Sequence, residues 1–541
     1  MFLPASLTAQ VTLTGRTLDA RTSEPLAFVN VSVEGAREGT ISDIDGRFTL
    51  IVAQLPIALH FTYVGYAERT MTVADAAPLV VKLEQQSELL KEAVILPGVN
   101  PAHRIIEQVW ASRKENDGMK YRVHRYRSYS KTIFTAALDS SKLNDTAWFA
   151  SLDSNTRGTV DFFQQQYLLV MESATRKSFD PPAREREEVL AMRVSGLKDP
   201  SLLALAASTK SFSMYDPQIL LNEKTYVGPI GPRSTSHYFF LLEDTLYRGA
   251  DTVFVISYRP RRATKFDGLK GLLYVNTGGY ALQNVIAEPA DPDNGTSLKV
   301  QQMHERVEGK WFPRQLNTWI LFNNLKVNDF GLIGIGRTYL RDIELDVDVA
   351  GSEVRGPELV ADRMELTRDD AYWNALRTDS LDGKDLRTYH VIDSVGDAEH
   401  LDRRVKVLDA LLNGRIPLGP IDFDLTRVMA YNGYEGFRLG GGLRTNAKLS
   451  RLFSLGGYGA YGFGDRNAKY GGELRVKPMP ARSFELRGFY ENDVIESGGV
   501  AFRASVSDEA AGFSMGINVL RVFGMAWAAA AVIAGVAGIV V

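Results

Sequence analysis

The 541-residue chain contains no cysteine and no excess of basic residues. Without cysteine it has no disulfides, no thiol nucleophile and no cysteine-ligated metal. Its 62 Lys and Arg residues against 65 Asp and Glu residues give a net charge of -3, so nothing in the composition points to nucleic acid as a partner. A hydrophobic fraction of 45% with 23% charged residues is that of a folded globular protein, which argues against wholesale disorder.

The common catalytic and cofactor-binding motifs are also missing. None of the seven histidines lies in an H-E-x-x-H motif, and His304-Glu305 has no second histidine four residues on. No G-x-S-x-G elbow, P-loop or dinucleotide fingerprint occurs, and Gly334 and Gly336 form only a fragment of a glycine motif. We therefore predict a protein that is not an enzyme. We assign no catalytic, cofactor-binding or metal-binding residue and no cofactor.

Two pairs of residues have the spacing of metal ligands on a helix. His103 and Glu107 are four residues apart, and His390 and Asp393 are also helically spaced. Two ligands fall short of the three or four that zinc sites use, so an ion pair or hydrogen bond is the expected role of each pair.

Two further polar clusters have simple structural interpretations. Residues 43–46, Asp-Ile-Asp-Gly, lack the additional ligands of a calcium loop, so we predict a hairpin turn there. A basic run ends a predicted strand and is expected to protect its edge, with an anionic-ligand or lipid-headgroup site as the alternative. The run consists of Arg259, Arg261, Arg262 and Lys265.

Short alternating segments at the start of the chain predict a β-sandwich over residues 10–85. Apolar Ala27, Val29, Val31 and Val33 alternate with polar residues. Turns recur about every 8–12 residues, a spacing typical of a sandwich. Residues 86–99 are expected to be a linker. Residues 1–9 resemble the end of a secretory signal, although a basic region and a full apolar core are missing.

The region 100–430 is predicted to be α+β. A helix begins at Pro101, with an apolar stripe that includes Ile105, Ile106 and Val109. Residues 172–197 contain mixed charges and a double proline, so we predict a loop that leads into a short helix. Residues 367–413 are expected to be helical, with Trp373, Leu376 and Leu381 in the core.

Glycine and aromatic residues become dense over residues 431–506, in alternating segments typical of outer-membrane barrel strands. In the stretch 469–490, one face of two predicted strands is apolar and the other is charged. We expect the apolar face to contact lipid; it consists of Tyr470, Leu474, Val476, Phe484 and Leu486. We expect the charged face to line an aqueous lumen; it consists of Glu473, Arg475, Glu485 and Arg487. The alternative is a soluble sandwich whose apolar face is turned inward.

The last twenty residues, 522–541, contain no charge and are long enough to span a bilayer. Their composition differs from everything before them. A membrane anchor and an artefact of a truncated or frameshifted end are both consistent with this segment.

Two known families are recognisable in series. Residues 11–85 resemble the carboxypeptidase-regulatory-like, or transthyretin-like, domain through Pro25-Leu26, Val29-Asn30-Val31 and the stretch FTYVGY at 61–66. Residues 100–506 resemble a family widespread in Bacteroidota that carries domain of unknown function 5686. That resemblance rests on NPAHRII, RVSGL, FDGLKGLLYV, KWFPRQL and NGYEGFRLGGGLRTN.

The resemblance implies an outer-membrane protein with its N-terminal domains in the periplasm and a C-terminal antiparallel β-barrel. The family continues for many further strands, whereas recognisable strands end here near Ala504, so we expect only the start of an incomplete barrel. An unclosed sheet cannot remain in hydrocarbon, because its edge amides have no partner, so we expect either a fragment or strands that pair with something else. The predicted class is thus mainly β with an α+β middle.

The function expected from the sequence is a non-enzymatic cell-envelope role in transport or assembly. The expected partners are outer-membrane lipid and unknown envelope proteins, and no nucleic acid. The alternatives are a receptor of the TonB-dependent class and a soluble hydrolase with an accessory sandwich.

Overall fold

The computed structural model describes most of the chain between residues 10 and 493, and it is mainly β. The described ranges are 10–36, 39–86, 100–143, 145–181, 184–198, 212–221, 224–248, 251–262, 264–291, 296–328, 330–349, 354, 359–361, 368–378, 380–401, 414–432, 435–446, 448–450, 452–476 and 486–493. The predicted signal remnant, most of the linker and the charge-free tail lie outside these residues.

The first half of the chain begins with seven strands and then alternates helices with longer strands. The N-terminal strands are β1 Val11–Asp19, β2 Asn30–Val33, β3 Gly39–Ile41, β4 Arg47–Val52, β5 Ile57–Thr62, β6 Arg69–Val73 and β7 Leu79–Leu83. The next elements are α1 Pro101–Ala111, α2 Arg113–Asn116, α3 Gly118–Tyr121, β8 His124–Ala136, α4 Ser140–Leu143, α5 Thr146–Ser151, α6 Ser154–Gln165, β9 Leu169–Asp180 and β10 Arg184–Val194.

The described residues from Gln218 onward form longer strands, three α-helices and a final group of strands. The central elements are β11 Gln218–Leu221, β12 Lys224–Val227, α7 Ser234–His237, β13 Tyr238–Arg248, β14 Asp251–Pro260, β15 Leu269–Asn276, β16 Ala281–Pro289, β17 Thr296–Val307, β18 Lys310–Val327 and β19 Phe330–Leu345. The last elements are β20 Leu359–Ala361, α8 Asp370–Leu376, α9 Gly383–Ala398, β21 Arg415–Leu418, β22 Ile421–Asp424, β23 Met429–Asn432, β24 Gly436–Thr445, β25 Phe453–Gly462, β26 Asn467–Val476 and β27 Leu486–Asn492.

The chain divides into two compact units, which are described separately below. The first comprises the described parts of residues 1–170, 210–348 and 377–387. The second comprises the described parts of residues 171–209, 349–376 and 388–541.

The first unit begins with the predicted β-sandwich, which is confirmed. A three-stranded sheet in the order β4-β1-β7 lies against a four-stranded sheet in the order β3-β2-β5-β6. Strand β4 shows why the sequence folds this way: Phe48, Leu50 and Val52 are buried, and the residues between them are exposed. The ring of Phe48 packs edge to face against the ring of Phe61, which belongs to the other sheet, and both lie in one apolar core. The alternation of buried and exposed residues along each strand therefore produces the two-layer sandwich.

The turn at 43–46 forms, but it is not a hairpin. Asp43 Oδ1 accepts hydrogen bonds from the backbone N–H of Asp45 at 2.9 Å and of Arg47 at 2.8 Å, which fixes the turn. The strands on either side, β3 and β4, belong to different sheets. The predicted hairpin is therefore wrong, because the turn carries the chain from one layer of the sandwich to the other.

A long antiparallel sheet forms the centre of the first unit, with strand order β13-β14-β15-β16-β17-β18-β19-β8. One face is covered by α1, which begins at Pro101 as predicted and is capped by Asn100. Ile105, Ile106 and Val109 are buried in the core that α1 shares with the sheet. The helix prediction and its apolar stripe are confirmed.

The opposite face of this sheet is covered by the N-terminal sandwich. Phe28 and Ile44 of the sandwich share a buried cluster with Leu272, Tyr274 and other sheet residues. The Tyr274 hydroxyl donates to the Phe28 carbonyl at 3.1 Å, and the two rings meet edge to face. The sandwich is thus packed on the sheet and is not an isolated module.

In the second unit, residues 172–197 form most of an antiparallel hairpin of β9 and β10, so the predicted loop and helix are wrong. Opposite charges face each other across the hairpin: Lys177 Nζ lies 3.1 Å from Glu185 Oε1, and Arg176 lies 3.5 Å from Glu188. These charged residues suggested a solvated loop. Cross-strand pairing of opposite charges instead lets them occupy a ladder.

The predicted helical region contains α8 and α9. Trp373 on α8 is fully buried, as predicted, and Leu376 and Leu381 are partly buried. Residues 402–413 lie outside the described residues. Asp393 accepts a hydrogen bond from the backbone N–H of Gly196 at 2.6 Å, so its role in the second unit is structural.

The final strands form one open antiparallel sheet in the order β21-β22-β24-β25-β26-β27, with β23 also paired to β24. Residues 463–466 form the turn between β25 and β26. Strands β21 to β23 begin before Tyr431, where the dense glycine and aromatic pattern starts.

Candidate functional site

The two faces of the β21–β27 sheet differ in chemistry, although the charged face also carries one large apolar side chain, Phe489. The register aligns Leu443 with Gly457, Gly457 with Gly472, and Gly472 with Tyr490, so these residues share one face. One residue further along β26, Glu473 pairs with Gly456 on one side and with Phe489 on the other. These three residues share the opposite face of the sheet. Successive side chains of a strand point to opposite faces, and the sequence uses this to separate apolar from charged residues.

The apolar face of this sheet is exposed. Leu443 is 53% exposed, Leu474 46% and Leu486 54%, although each is a large apolar side chain. The exposed apolar face comprises Ile416, Leu418, Ile421, Met429, Phe437, Leu439, Leu443, Phe453, Leu455, Tyr461, Tyr470, Leu474, Leu486 and Tyr490. The predicted segregation of Tyr470, Leu474, Val476 and Leu486 is confirmed, and Phe484 lies outside the described residues. Exposed apolar patches of this size mark contacts with membranes or other proteins.

The opposite face carries a carboxylate surrounded by arginines. Glu473 Oε1 lies 3.2 Å from Arg475 Nε, and Glu473 Oε2 accepts from Arg487 Nε at 2.9 Å. Arg444 on β24 pairs with the same carboxylate. Glu473, Arg475 and Arg487 were predicted to share a face, and they do; Glu485 lies outside the described residues.

A second group of ion pairs lies on the same face near the other end of the strands. Arg438 binds Asp493 with two parallel hydrogen bonds of 2.7 and 2.9 Å, and the Tyr458 hydroxyl donates to Asp493 at 2.7 Å. Lys469 donates to Asp465 at 2.6 Å. Bidentate arginine–carboxylate pairs are among the strongest polar contacts in proteins, so they fix this face firmly.

One glycine makes room for these side chains. A Cβ on Gly471 would lie 2.5 Å from the ring of Tyr458, which crosses over it from the neighbouring strand. The glycine-rich strands therefore place bulky polar side chains over bare backbone on one face. On the other face of the same strands, the large apolar side chains are exposed.

One residue of each helically spaced pair, His103 and Asp393, contacts a residue outside its pair. His103 packs edge-on against Phe240, and burial, followed by the nearby charge of Arg261, lowers the pKa of His103. Across the described residues no group of three or more His, Asp or Glu side chains could hold a metal ion. Where the structure describes the chain, it also contains no helix long and apolar enough to cross a membrane.

The basic run lies at the end of β14 with little carboxylate contact. Arg259 stacks over Phe239 with 4.9 Å between the guanidinium carbon and the ring centroid, and Arg261 donates to the Thr235 carbonyl at 3.0 Å. Arg261, Arg262 and Lys265 are exposed. These contacts fit a solvated strand edge, and no contact among the described residues favours the anionic-ligand alternative.

His304 lies in the sheet of the first unit, and burial lowers its pKa to about 4. Unfolded histidine titrates near 6.5, so between about pH 4 and 6.5 the unfolded chain binds more protons. The contribution of His304 to stability is full above pH 6.5 and is lost as the pH falls to about 4.

We therefore expect His304→Gln to reduce the loss of thermal stability on acidification. The melting temperature, measured by circular dichroism, should fall less in the variant than in the parent chain between about pH 7 and pH 5. Identical slopes in the two proteins would show that His304 does not titrate as its burial predicts.

Comparisons with known proteins confirm both family resemblances. Residues 13–95 match the CarboxypepD_reg-like domain, and residues 105–333 match a family described as "Family of unknown function (DUF5686)". The order along the chain is the one that the sequence motifs predicted.

Curated relatives match over a short segment. TonB-dependent receptor P39 of Formosa agariphila is 27% identical over 95 residues, which is 18% of this chain and 9% of the receptor. TonB-dependent receptor SusC of Bacteroides thetaiotaomicron is 37% identical over 87 residues, which is 16% of this chain and 8% of the receptor. The matched segment thus spans less than a tenth of the length of these relatives.

A solved structure of a DUF1329 family protein from Desulfovibrio piger covers 48% of this chain and 98% of its own. Its TM-score is 0.23 with 7% identity. A similarity at this level does not establish a common fold.

Proposed function

Because the chain joins a CarboxypepD_reg-like domain to a DUF5686 region, we propose that it is a cell-envelope protein held in the outer membrane by its last strands, whose open edges pair with further strands in the membrane. The N-terminal unit would lie in the periplasm. The observation that carries the proposal is the exposed apolar face of β21–β27, opposed by a face of closed ion pairs.

The chemistry of the two faces supports lipid on the apolar side. A soluble antiparallel sheet covers its apolar face with a core and turns its polar face to water. In this sheet the apolar side chains are the exposed ones, and charged side chains such as Glu473 and Asp493 are largely buried in their own network. Strands of outer-membrane proteins alternate in this way, with apolar residues toward lipid and polar residues inward.

The similarity to TonB-dependent receptors supports an envelope location. It is confined to a segment about as long as the CarboxypepD_reg-like match, so it supports a shared accessory domain more than a shared transport activity. A TonB-dependent receptor is therefore the second candidate function.

We also propose that the protein acts without catalysis of its own, through outer-membrane lipid and envelope proteins that remain to be identified. The described part of the chain brings no metal-ligand group together, and the sequence holds no nucleophile motif. A soluble hydrolase with an accessory sandwich is the opposing interpretation.

Fractionation of the full chain, exported in a Gram-negative host, tests the location. We expect the protein to remain in the membrane pellet after a high-pH wash, which strips peripheral proteins, and to be released by detergent. Recovery in the soluble periplasmic fraction would contradict the proposal. The detergent-purified chain should leave chromogenic ester, glycoside, phosphate and peptide substrates unchanged, whereas robust turnover would favour the hydrolase.

A further inference from the structure

An open cavity of about 720 Å³ lies in the first unit between the N-terminal sandwich and strand β13. Its sandwich wall is the turn after β5, which includes Tyr63 and Tyr66. Its other wall is the second half of β13, from Glu243 to Tyr247. None of these residues belongs to the membrane-facing sheet, so the cavity is independent of the proposed membrane attachment.

A β-bulge builds the acidic wall of this cavity. Leu242 pairs with Ile256 and Asp244 pairs with Val255, which leaves Glu243 as an extra residue in β13. In a regular strand consecutive side chains point to opposite faces. Here the side chains of Glu243 and Asp244 are both held by groups around the cavity, Ser257 and Thr62 respectively. Bulges re-aim side chains in this way and are frequent beside functional sites.

Both carboxylates are held by neutral groups. The Ser257 hydroxyl donates to Glu243 Oε1 at 2.5 Å, and the backbone N–H of Thr245 donates to Asp244 Oδ1 at 2.7 Å. Thr62 of the sandwich lies 3.4 Å from the other oxygen of Asp244. Within the described residues no Lys or Arg forms an ion pair with either carboxylate.

The tyrosine wall is rigidly positioned. The rings of Tyr63 and Tyr66 are 5.2 Å apart, and the Tyr66 hydroxyl donates to Asp19 at 2.8 Å. The backbone N–H of Gln86 closes the turn by donating to Gly65 at 3.0 Å. Tyr247 on the opposite wall is 41% exposed, so aromatic surface borders the acidic groups on both sides.

The acidic side chains that line the cavity favour a positively charged ligand. It contains Glu68, Glu243 and Asp244, and its only basic group among the described residues is His60, which lies 3.5 Å from Glu68. Carboxylates and tyrosine rings both attract cations, the rings through their negative faces.

The geometry points to a binding site for a basic peptide segment, whose lysine or arginine side chain enters the cavity between Glu243, Asp244 and the tyrosines. The bulge supplies the charge, and the sandwich supplies the opposing aromatic wall. The site lies at the junction of sandwich and sheet, so it exists only where both are packed together.

Calorimetric titration of the full chain in detergent with acetyl-tetralysine amide tests this site. We expect saturable binding that weakens when ionic strength is raised about tenfold, since partly exposed charges are screened by salt. The acidic counterpart, acetyl-tetraglutamate amide, should not bind. Binding of the neutral sugar maltotetraose in place of the lysine peptide would overturn the proposal.

Paired variants localise the binding. Glu243→Gln together with Asp244→Asn keeps size and hydrogen-bonding capacity and is expected to weaken tetralysine binding about tenfold or more. Glu107→Gln, an exposed change on α1 outside the cavity, should leave the affinity unchanged. Tyr247→Ala should weaken binding about two- to fivefold through loss of the ring. Equal affinity in the parent chain and the double variant would place the lysine peptide elsewhere and refute the site.

Discussion

Replacing Leu443 with arginine is expected to release most of the protein from the membrane. Leu443 is 53% exposed and lies in the row that continues through Gly457 and Gly472, in the middle of β25 and β26, to Tyr490. An arginine on the lipid face near the bilayer midplane costs about 2–4 kcal/mol. The membrane-bound fraction of the full chain, measured by reconstitution into phospholipid vesicles followed by flotation, should therefore fall sharply.

Phe489→Arg is the matched control for this change. Phe489 is 61% exposed, lies one position along β27 from Tyr490, and pairs across the ladder with Glu473. The same charge is thus introduced at nearly the same level of the sheet but on the ion-paired face, beside a carboxylate. We expect flotation close to that of the parent chain. Equal losses in both variants would mean that the two faces are not distinguished by lipid.

The period-two pattern predicted much of this architecture because alternation directly encodes which side of a strand is buried. The sandwich core of Phe48, Leu50 and Val52 and the opposed faces of β26 and β27 both follow from that pattern. The start of α1 was predictable for a similarly local reason, since Asn100 caps the helix and Pro101 occupies its first turn.

Features that depend on pairing between distant residues could not be predicted in the same way. The hairpin of β9 and β10 was misassigned because charged residues such as Lys177 and Glu185 suggest solvent until their partners across the ladder are known. The partners of Arg438 could not be foreseen either, because Asp493 lies 55 residues away. The sequence contained only weak evidence of the acidic bulge, namely the two consecutive acidic residues Glu243 and Asp244 within the mostly apolar strand β13.

The packing of the sandwich on the central sheet was also invisible in the sequence. Phe28 and Tyr274 are buried on each other, although 246 residues separate them. The sequence around each residue indicates that its side chain is buried, but it does not indicate which apolar residue the side chain packs against. The cavity could not be predicted for the same reason, because one wall belongs to the N-terminal sandwich and the other to strand β13 of the central sheet.

Gly271→Ala is expected to be among the most destabilising single changes in the first unit. Gly271 adopts φ +153°, and a Cβ there would lie 2.0 Å from the carbonyl oxygen of Ile286 on the neighbouring strand. That carbonyl cannot retreat, because β16 is paired on both sides, with β15 and with β17. Backbone strain and overpacking together should cost about 3 kcal/mol. The melting temperature of the full chain in detergent should fall by about 6–12 °C.

Gly336→Ala is the control for this change, because it replaces a glycine of the same sheet without a steric clash. Gly336 lies in β19 of the same sheet, and a Cβ there would meet its nearest neighbour, the Thr132 hydroxyl, at 3.6 Å, an ordinary contact. This variant should melt at or slightly above the temperature of the parent chain, because alanine reduces the conformational freedom of the unfolded chain. If both variants melted at the parent temperature, β15 and β16 could not lie as close together as their ladder requires, and the core of Leu273, Val275 and Val285 would have to be packed differently.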